Sequence, residues 1–111
     1  MRYTFVYLPM FTQAAAEAGL TDAERRAAED AILEAGPLAG SGIGAPGGGR
    51  KLRVALEGRG KRGSVRVIFY VHEARARVYM IYVYPKGAAD SLSVAGKRAV
   101  AALIRDINGE G

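Results

Sequence analysis

The side chains best suited to chemistry in this sequence are cations, and they are concentrated in one short stretch, residues 50–66. This stretch, RKLRVALEGRGKRGSVR, holds seven of the sixteen lysines and arginines and only one acid, so its net charge is +6. The whole chain carries +5, and everything outside the stretch therefore sums to −1, with nine bases against ten acids. Such clustering predicts a contact surface for a polyanion.

Strand alternation divides these cations into two groups. Over residues 50–56 apolar side chains alternate with polar ones, which places Lys51 and Arg53 together on one face of a strand. A hairpin would bring Arg66 of the next strand within reach of them. Because neighbouring like charges repel, we expect an anion between them, and arginine binds phosphate oxygens with paired hydrogen bonds. This pattern predicts a phosphodiester site on the sheet.

The other cations belong to the hairpin turn and the start of the strand, and are predicted to hold RNA. They are Arg50, Arg59, Lys61 and Arg62. A solvated hairpin without a partner is the alternative, and it suits the turn residues better than the three residues on the sheet. Tyr70, Tyr82 and Tyr84 lie in the following strands and could stack on bases. The alternative is a core position, which we favour for at least one of Tyr82 and Tyr84.

A group of cations can also catalyse the cleavage of RNA. Crowded positive charge lowers the pKa of a lysine, and a lysine that is partly neutral near pH 7 can act as a general base. An arginine can stabilise the additional negative charge of a pentacoordinate phosphorane. The 2′-hydroxyl of RNA is the nucleophile, so no metal is required, and the products are a 2′,3′-cyclic phosphate and a 5′-hydroxyl.

Other reaction classes find little support in the sequence. There is no cysteine, and the single histidine, His72, has no serine motif around it and is expected to be structural or at the surface. No spacing of His, Cys or carboxylates indicates a metal site. The glycine-rich residues 36–49 lack the lysine of a phosphate-binding loop and precede a strand, so we expect a lid or a turn and no nucleotide cofactor.

Length and composition predict a single domain over residues 1–111. Half of the residues are apolar and 24% are charged, which is typical of a globular protein. The start of the chain has no apolar core of a signal peptide, and no apolar run is long enough to cross a membrane. A cytoplasmic location is expected, with no membrane contact.

The chain predicts an α+β fold in which an antiparallel sheet packs against helices, in the order β-α-α-β-β-β-α. Aromatic and β-branched residues predict the first strand, and apolar residues at helical spacing predict the helices. The boundaries are strand 3–7, helix 11–18, a helix from Thr21 to about 35, strands 50–56, 64–72 and 77–84, and a helix from about 91 to 107. The strand 77–84 is apolar on both faces, so we place it in the centre of the sheet.

Thr21 and Glu24 form a capping-box pattern at the start of the second helix. Gly36 and Pro37 form a typical stop signal at its end. Residues 17–34 carry six acids and two bases, which predicts a solvated acidic face, or one that repels nucleic acid and orients it toward the opposite side.

In this order of elements and motifs the chain resembles the HigB-like members of the RelE/ParE superfamily of type II toxins. The features that carry the resemblance are FVYLPMFT, LTDAERRAAEDAILEAGP, GGGRKLRVALEGRGKRGSVRVIFYV, YMIYVYPK and DSLS, which together cover nearly the whole chain. The resemblance implies a microbial RNase-like fold and ribosome-dependent cleavage of mRNA. It also implies neutralisation by a cognate antitoxin, often a helix-turn-helix protein.

By the same resemblance, Lys51 and Arg53 match the paired basic residues of the family and Arg66 matches the arginine of the next strand. Lys86 matches a lysine that follows the last strand. Lys51 or Lys86 would then transfer a proton, and Arg53 and Arg66 would stabilise the phosphate. The chain departs from the family pattern at Pro85, where glycine is usual. The general acid has no assignment.

Two alternatives to an mRNA endoribonuclease stay open at this point. One is a ParE-like gyrase inhibitor, which shares the fold without the RNA chemistry. The other is a catalytically decayed homologue that binds RNA without cutting it. The presence of Lys51, Arg53 and Arg66 favours the endoribonuclease.

Overall fold

A computed structural model describes residues 2–36, 40–56, 63–85, 87 and 92–109. Five strands and three α-helices follow one another in these ranges. They are β1 (Thr4–Tyr7), α1 (Pro9–Glu17), α2 (Asp22–Ala35), β2 (Ser41–Gly42), β3 (Arg50–Ala55), β4 (Ser64–His72), β5 (Arg77–Pro85) and α3 (Val94–Ile107). Four predicted site residues, Arg59, Lys61, Arg62 and Lys86, lie outside the described residues.

The strands form one sheet in the order β1-β5-β4-β3-β2. The strands β3, β4 and β5 make the predicted antiparallel meander. We expected β5 in the centre of the sheet, and it lies in the interior beside the central strand β4. The edge strand β1 pairs with β5 in parallel, so the sheet is mixed where we expected an antiparallel one. The α+β class is confirmed, and the two-residue strand β2 adds to the four predicted strands.

The two faces of the sheet carry separate cores. One face packs against α1 and α2, with Phe11, Ala28 and Ile32 from the helices against Val67 and Phe69 of β4, all of them buried. The other face packs against α3, whose Val100 and Ile104 contact a cluster that includes Ile68 and Ile81. Because successive side chains of a strand point to opposite faces, both cores draw on the same strands.

The helix boundaries follow from local chemistry. At the start of α2 the Thr21 hydroxyl accepts a hydrogen bond from the Glu24 amide at 3.1 Å, and the Glu24 carboxylate accepts one from the Thr21 amide at 2.9 Å. This is the predicted capping box. The first helix starts at Pro9, two residues before the predicted start, because proline is favoured at the first helical position, where no amide donor is needed.

A β-bulge interrupts the pairing of β4 with β5. Ile68 pairs with Tyr82 and Phe69 pairs with Met80, so Ile81 has no partner in the register. Such an extra residue shifts the alternation of a strand by one position. Beyond the bulge Tyr82 and Tyr84 therefore share the α3 face of the sheet, and their ring centroids are 5.9 Å apart.

Candidate active site on the sheet

Three of the predicted catalytic residues share one face of the sheet. Leu52 and Val54 of β3, like Val65 and Val67 of β4, pack into the core under α1 and α2. The residues between them point to the opposite face, on which α3 lies. These residues are Lys51, Arg53 and Arg66, and we call them the sheet cluster.

The register of β3 and β4 sets the geometry of the sheet cluster. Arg53 pairs directly with Arg66, and Lys51 lies one step along the same face, opposite Ile68. Directly opposite residues have Cβ atoms about 4.5–5.5 Å apart. Arg53 is exposed, whereas Lys51 and Arg66 are half-buried. In the described part of the chain none of the three forms an ion pair.

Backbone contacts fix the position of Lys51. The short strand β2 pairs with β3 so that Ser41 lies opposite Lys51. Gly40 precedes β2 with φ of +81°, and its α-carbon lies directly against the Lys51 carbonyl, where a Cβ atom would collide with the backbone. Glycine supplies both the left-handed conformation and the close approach. The sequence pattern of residues 36–49 predicted a turn leading into the basic strand, and this contact shows how that turn holds Lys51.

The predicted RNA-binding residues are not all on this face. Arg50 lies on the opposite face from Lys51, and its guanidinium donates a hydrogen bond to the Gly40 carbonyl at 3.1 Å. Tyr70 lies on the α3 face, half-buried, and its hydroxyl exchanges hydrogen bonds with the Asn108 amide at 3.1–3.2 Å. Arg50 therefore holds the loop at Gly40 in place, and Tyr70 holds the C-terminal end of α3.

The two tyrosines beyond the bulge differ in burial. Tyr84 pairs with Arg66 across the strands, but only 5% of its surface is exposed, because it belongs to the core under α3. Its ring has almost no free face on which a base could stack. Tyr82 is half-buried and shares a cross-strand row with Ile68 and Lys51. Of the two tyrosines, Tyr82 therefore has the ring available beside the sheet cluster.

His72 lies at the end of β4 and makes a local hydrogen bond. It precedes a single 3₁₀ turn, and its Nδ1 accepts a hydrogen bond from the Arg75 amide at 3.3 Å. Within the described ranges no group of three or more His, Asp or Glu side chains is placed to hold a metal ion. None of the described helices is long and apolar enough to cross a membrane.

A second polar cluster lies on the far side of the sheet, away from the sheet cluster. Tyr7 donates a hydrogen bond from its hydroxyl to Glu29, and the Arg25 guanidinium lies 4.9 Å from the centre of the Tyr7 ring. Burial, followed by the hydrogen bond to Glu29, raises the pKa of Tyr7 well above its usual value of 10.0. This cluster fastens α2 to β1 and supplies no group to the candidate site.

Sequence reasoning missed a set of cations on α3, which are Lys97, Arg98 and Arg105. They line the α3 side of a groove between α3 and the glycine-rich loop. The signal was present in the spacing of residues 94, 98, 101 and 105, which recur at intervals of three or four along one face of a helix.

The fold resembles that of a known toxin. The structure of the E. coli toxin RelE, solved as a double arginine-to-alanine mutant in the free state, superposes on this chain with a TM-score of 0.58. The match covers 90% of this chain and 98% of that chain, with 17% sequence identity. No protein-family model matches the sequence. The chain therefore has a RelE-like fold.

Proposed function

We propose that this protein is the toxin of a type II toxin–antitoxin system, of the HigB-like branch, and that it cleaves mRNA on the ribosome. The observation that carries the proposal is the sheet cluster. Arg53 and Arg66 lie directly opposite each other, with Lys51 beside them. Repulsion between such neighbours destabilises the folded protein, and a bound phosphodiester would remove this cost. The RelE-like fold is the second support.

In the cleavage we propose, the RNA supplies the nucleophile and the chain supplies the base and the groups that bind the phosphate. The 2′-oxygen of a ribose attacks the adjacent phosphorus, and the bond from phosphorus to the 5′-oxygen breaks. The proton of the 2′-hydroxyl passes to Lys51 or Lys86, of which Lys86 lies outside the described residues. Arg53 and Arg66 donate hydrogen bonds to the phosphorane oxygens as negative charge develops there. The leaving 5′-oxygen takes up a proton from water, and the products are a 2′,3′-cyclic phosphate and a 5′-hydroxyl.

The partners in this proposal are the ribosome with its mRNA and a cognate antitoxin, expected to be a helix-turn-helix protein, in the cytoplasm. Turn cations Arg59, Lys61 and Arg62, outside the described residues, would add contacts to ribosomal or messenger RNA. Phosphate contacts release counterions, so binding to ribosomes should weaken steeply as salt concentration rises. A flat salt response would argue against a basic contact surface.

Induced expression of the Arg66→Ala variant tests the proposal. The side chain of Arg66 is only half-buried, so the fold should survive, which circular dichroism would verify. We expect the variant to relieve growth inhibition, while Arg26→Ala, at an exposed position on α2, should remain as toxic as the parent.

Three results would contradict the proposal in different ways. Undiminished toxicity of Arg66→Ala would remove Arg66 from the site. Growth inhibition with DNA-damage signalling and intact mRNA would indicate a gyrase-inhibiting toxin. Binding to RNA with neither toxicity nor cleavage would indicate a decayed homologue.

A further inference from the structure

A cavity of about 620 Å³ lies at the end of β5, and the proposed cleavage assigns no role to it. We call it the β5 pocket. Residues 82–85 of β5 form one wall, α1 forms a second, and residues at the start of α3 form a third. Among the described strands, β1 pairs with β5 only as far as Met80, and beyond that point α1 packs against β5. The pocket therefore opens at the edge of the sheet, between two helices.

The β5 pocket lies next to the sheet cluster. Tyr84, which lines the pocket, pairs directly with Arg66. Tyr82, also in the lining, shares a cross-strand row with Lys51. Neighbouring strands are about 4.8 Å apart, so Arg66 is one strand away from the wall of the pocket. Because a base and its phosphate are joined through a single ribose, a phosphodiester held by Arg66 carries a base within reach of this pocket.

Most of the lining is apolar, and it includes one accessible aromatic ring. Met10 and Leu92 are half-buried there, and Ala14 and Ala18 leave space between them. Tyr82 is half-buried, so part of its ring is open to a ligand. The bases of single-stranded RNA gain affinity by stacking on aromatic side chains. Apolar walls with an open aromatic ring suit a planar base better than they suit a sugar or a phosphate.

A carboxylate is the one charged group among the described residues that line the β5 pocket. It belongs to Glu17, which is exposed at the end of α1. It accepts a hydrogen bond from the Gln13 side chain at 3.5 Å, a long and therefore weak contact. No lysine or arginine in the described part of the chain forms an ion pair with it. Because a carboxylate repels the phosphates of RNA, Glu17 favours RNA binding only where it accepts hydrogen bonds from a base.

We propose that the β5 pocket binds a guanine base of the RNA substrate and that Glu17 recognises it. The two oxygens of a carboxylate match the adjacent N1–H and 2-amino donors of guanine. Adenine, cytosine and uracil each place an acceptor beside their donor, and that acceptor would face a carboxylate oxygen. The base stacks on Tyr82 while its phosphate lies at Arg66. The inference rests on the proposed function for RNA as the substrate.

Binding of short oligonucleotides to the intact protein tests this inference without the ribosome. The probes are fluorescein-labelled 2′-O-methyl hexanucleotides of uridine that carry a single guanine, adenine or cytosine, or none of these. The 2′-O-methyl group blocks the nucleophile, so no probe is cleaved. Fluorescence anisotropy should show the guanine probe binding at least about fivefold more tightly than the other three, the discrimination expected of a good bidentate contact to a base.

Substitution of Glu17 tests the recognition of guanine. Glu17→Gln presents one donor and one acceptor, which match the edge of adenine, so the preference should change from guanine to adenine. Glu17 is exposed, so the fold should survive. The control Glu34→Gln, at an exposed position on α2, should keep the preference of the parent protein.

Two further positions separate stacking and phosphate contacts from base recognition. Tyr82→Leu should weaken binding of all four probes about fivefold or more, and Tyr82→Phe should restore it, because phenylalanine keeps the stacking ring. Arg66→Ala should weaken all four by a similar factor and keep the preference for guanine, because phosphate contacts carry no sequence information.

Four results would overturn the inference. They are equal binding of the four probes by the parent protein, a guanine preference that survives Glu17→Gln, full affinity of Tyr82→Leu, and binding of guanosine 5′-monophosphate alone as tightly as the guanine probe. The last result would make a free nucleotide the ligand. None of the four contradicts the proposed cleavage, which depends on the sheet cluster. Conversely, a guanine preference in a protein that cleaves no mRNA would reject the proposed function and leave the pocket as a guanine site.

Discussion

The directly opposed arginines of the sheet cluster should make the free protein less stable than a variant without one of them. Arg53 and Arg66 face each other across β3 and β4, without a carboxylate partner in the described part of the chain. Two like charges about 6–8 Å apart repel by about 0.5–0.7 kcal/mol in water. This agrees with the measured range of about 0.2–1 kcal/mol for cross-strand pairs.

A double-mutant cycle isolates this repulsion from losses in packing. The cycle compares the parent protein, Arg53→Gln, Arg66→Gln and the double variant by urea unfolding at low salt. We expect the two arginines to destabilise each other by about 0.5 kcal/mol, equivalent to about 2 °C in Tm. In 1 M salt the screening length falls to about 3 Å, so the coupling should nearly vanish.

Removing one of the two arginines relieves their repulsion, but it should lower the activity. Loss of one donor to a developing oxyanion typically lowers the rate about 10²–10³-fold, so Arg66→Gln should nearly abolish cleavage in a ribosome-dependent assay. Arg26→Gln, on the exposed face of α2, is the matched control for both measurements. A coupling of zero or of attractive sign at low salt would refute the geometry. Full activity of Arg66→Gln would refute the assigned role.

Four further predictions concern the contacts that stabilise the fold and the loop that positions Lys51. Tyr7→Phe removes the hydrogen bond to Glu29 and should lower the free energy of unfolding by about 1.5–3 kcal/mol in urea titrations; an unchanged value would mean that the bond contributes nothing. Folding raises the pKa of Tyr7. The stability that its protonated hydroxyl contributes is therefore fully present below pH 10.0, the ordinary tyrosine pKa, and is lost as the pH rises above that value. Thermal unfolding of the parent should therefore show Tm falling above this pH more steeply than in Tyr7→Phe. Thr21→Ala removes the capping box and should cost about 1 kcal/mol, with Thr12→Ala, inside α1, as a comparison. Gly40→Ala places a Cβ atom against the Lys51 carbonyl at positive φ and should cost about 1–3 kcal/mol and reduce activity, whereas Gly19→Ala, also at positive φ but in open space, should leave activity unchanged.

Local patterns in the sequence predicted much of the fold. The capping box at Thr21, the strand Ser64–His72 and the division of β3 into apolar and cationic faces are all confirmed, because each depends on neighbours a few residues away. The parallel pairing of β1 with β5 was not predicted, since it joins segments about 70 residues apart and leaves no local signal.

The candidate site was predictable where it depends on strand alternation and not where it depends on packing. Alternation placed Lys51, Arg53 and Arg66 on one face. Tyr84 is buried and Tyr82 is half-buried because of the bulge at Ile81 and the packing of α3 on this face of the sheet. The spacing of the tyrosines in the sequence indicates neither the bulge nor this packing. Arg50 is a cation next to Lys51 in the sequence. The same strand alternation that places Lys51 and Arg53 on one face places Arg50 on the opposite face.

Mapping of the 5′ ends of cellular mRNA after induced expression tests the central proposal most directly. The account predicts new 5′-hydroxyl ends inside translated reading frames with the parent protein. These ends should disappear with Arg66→Ala and persist with Arg26→Ala. Growth inhibition by the parent protein without any new ends inside reading frames would contradict it.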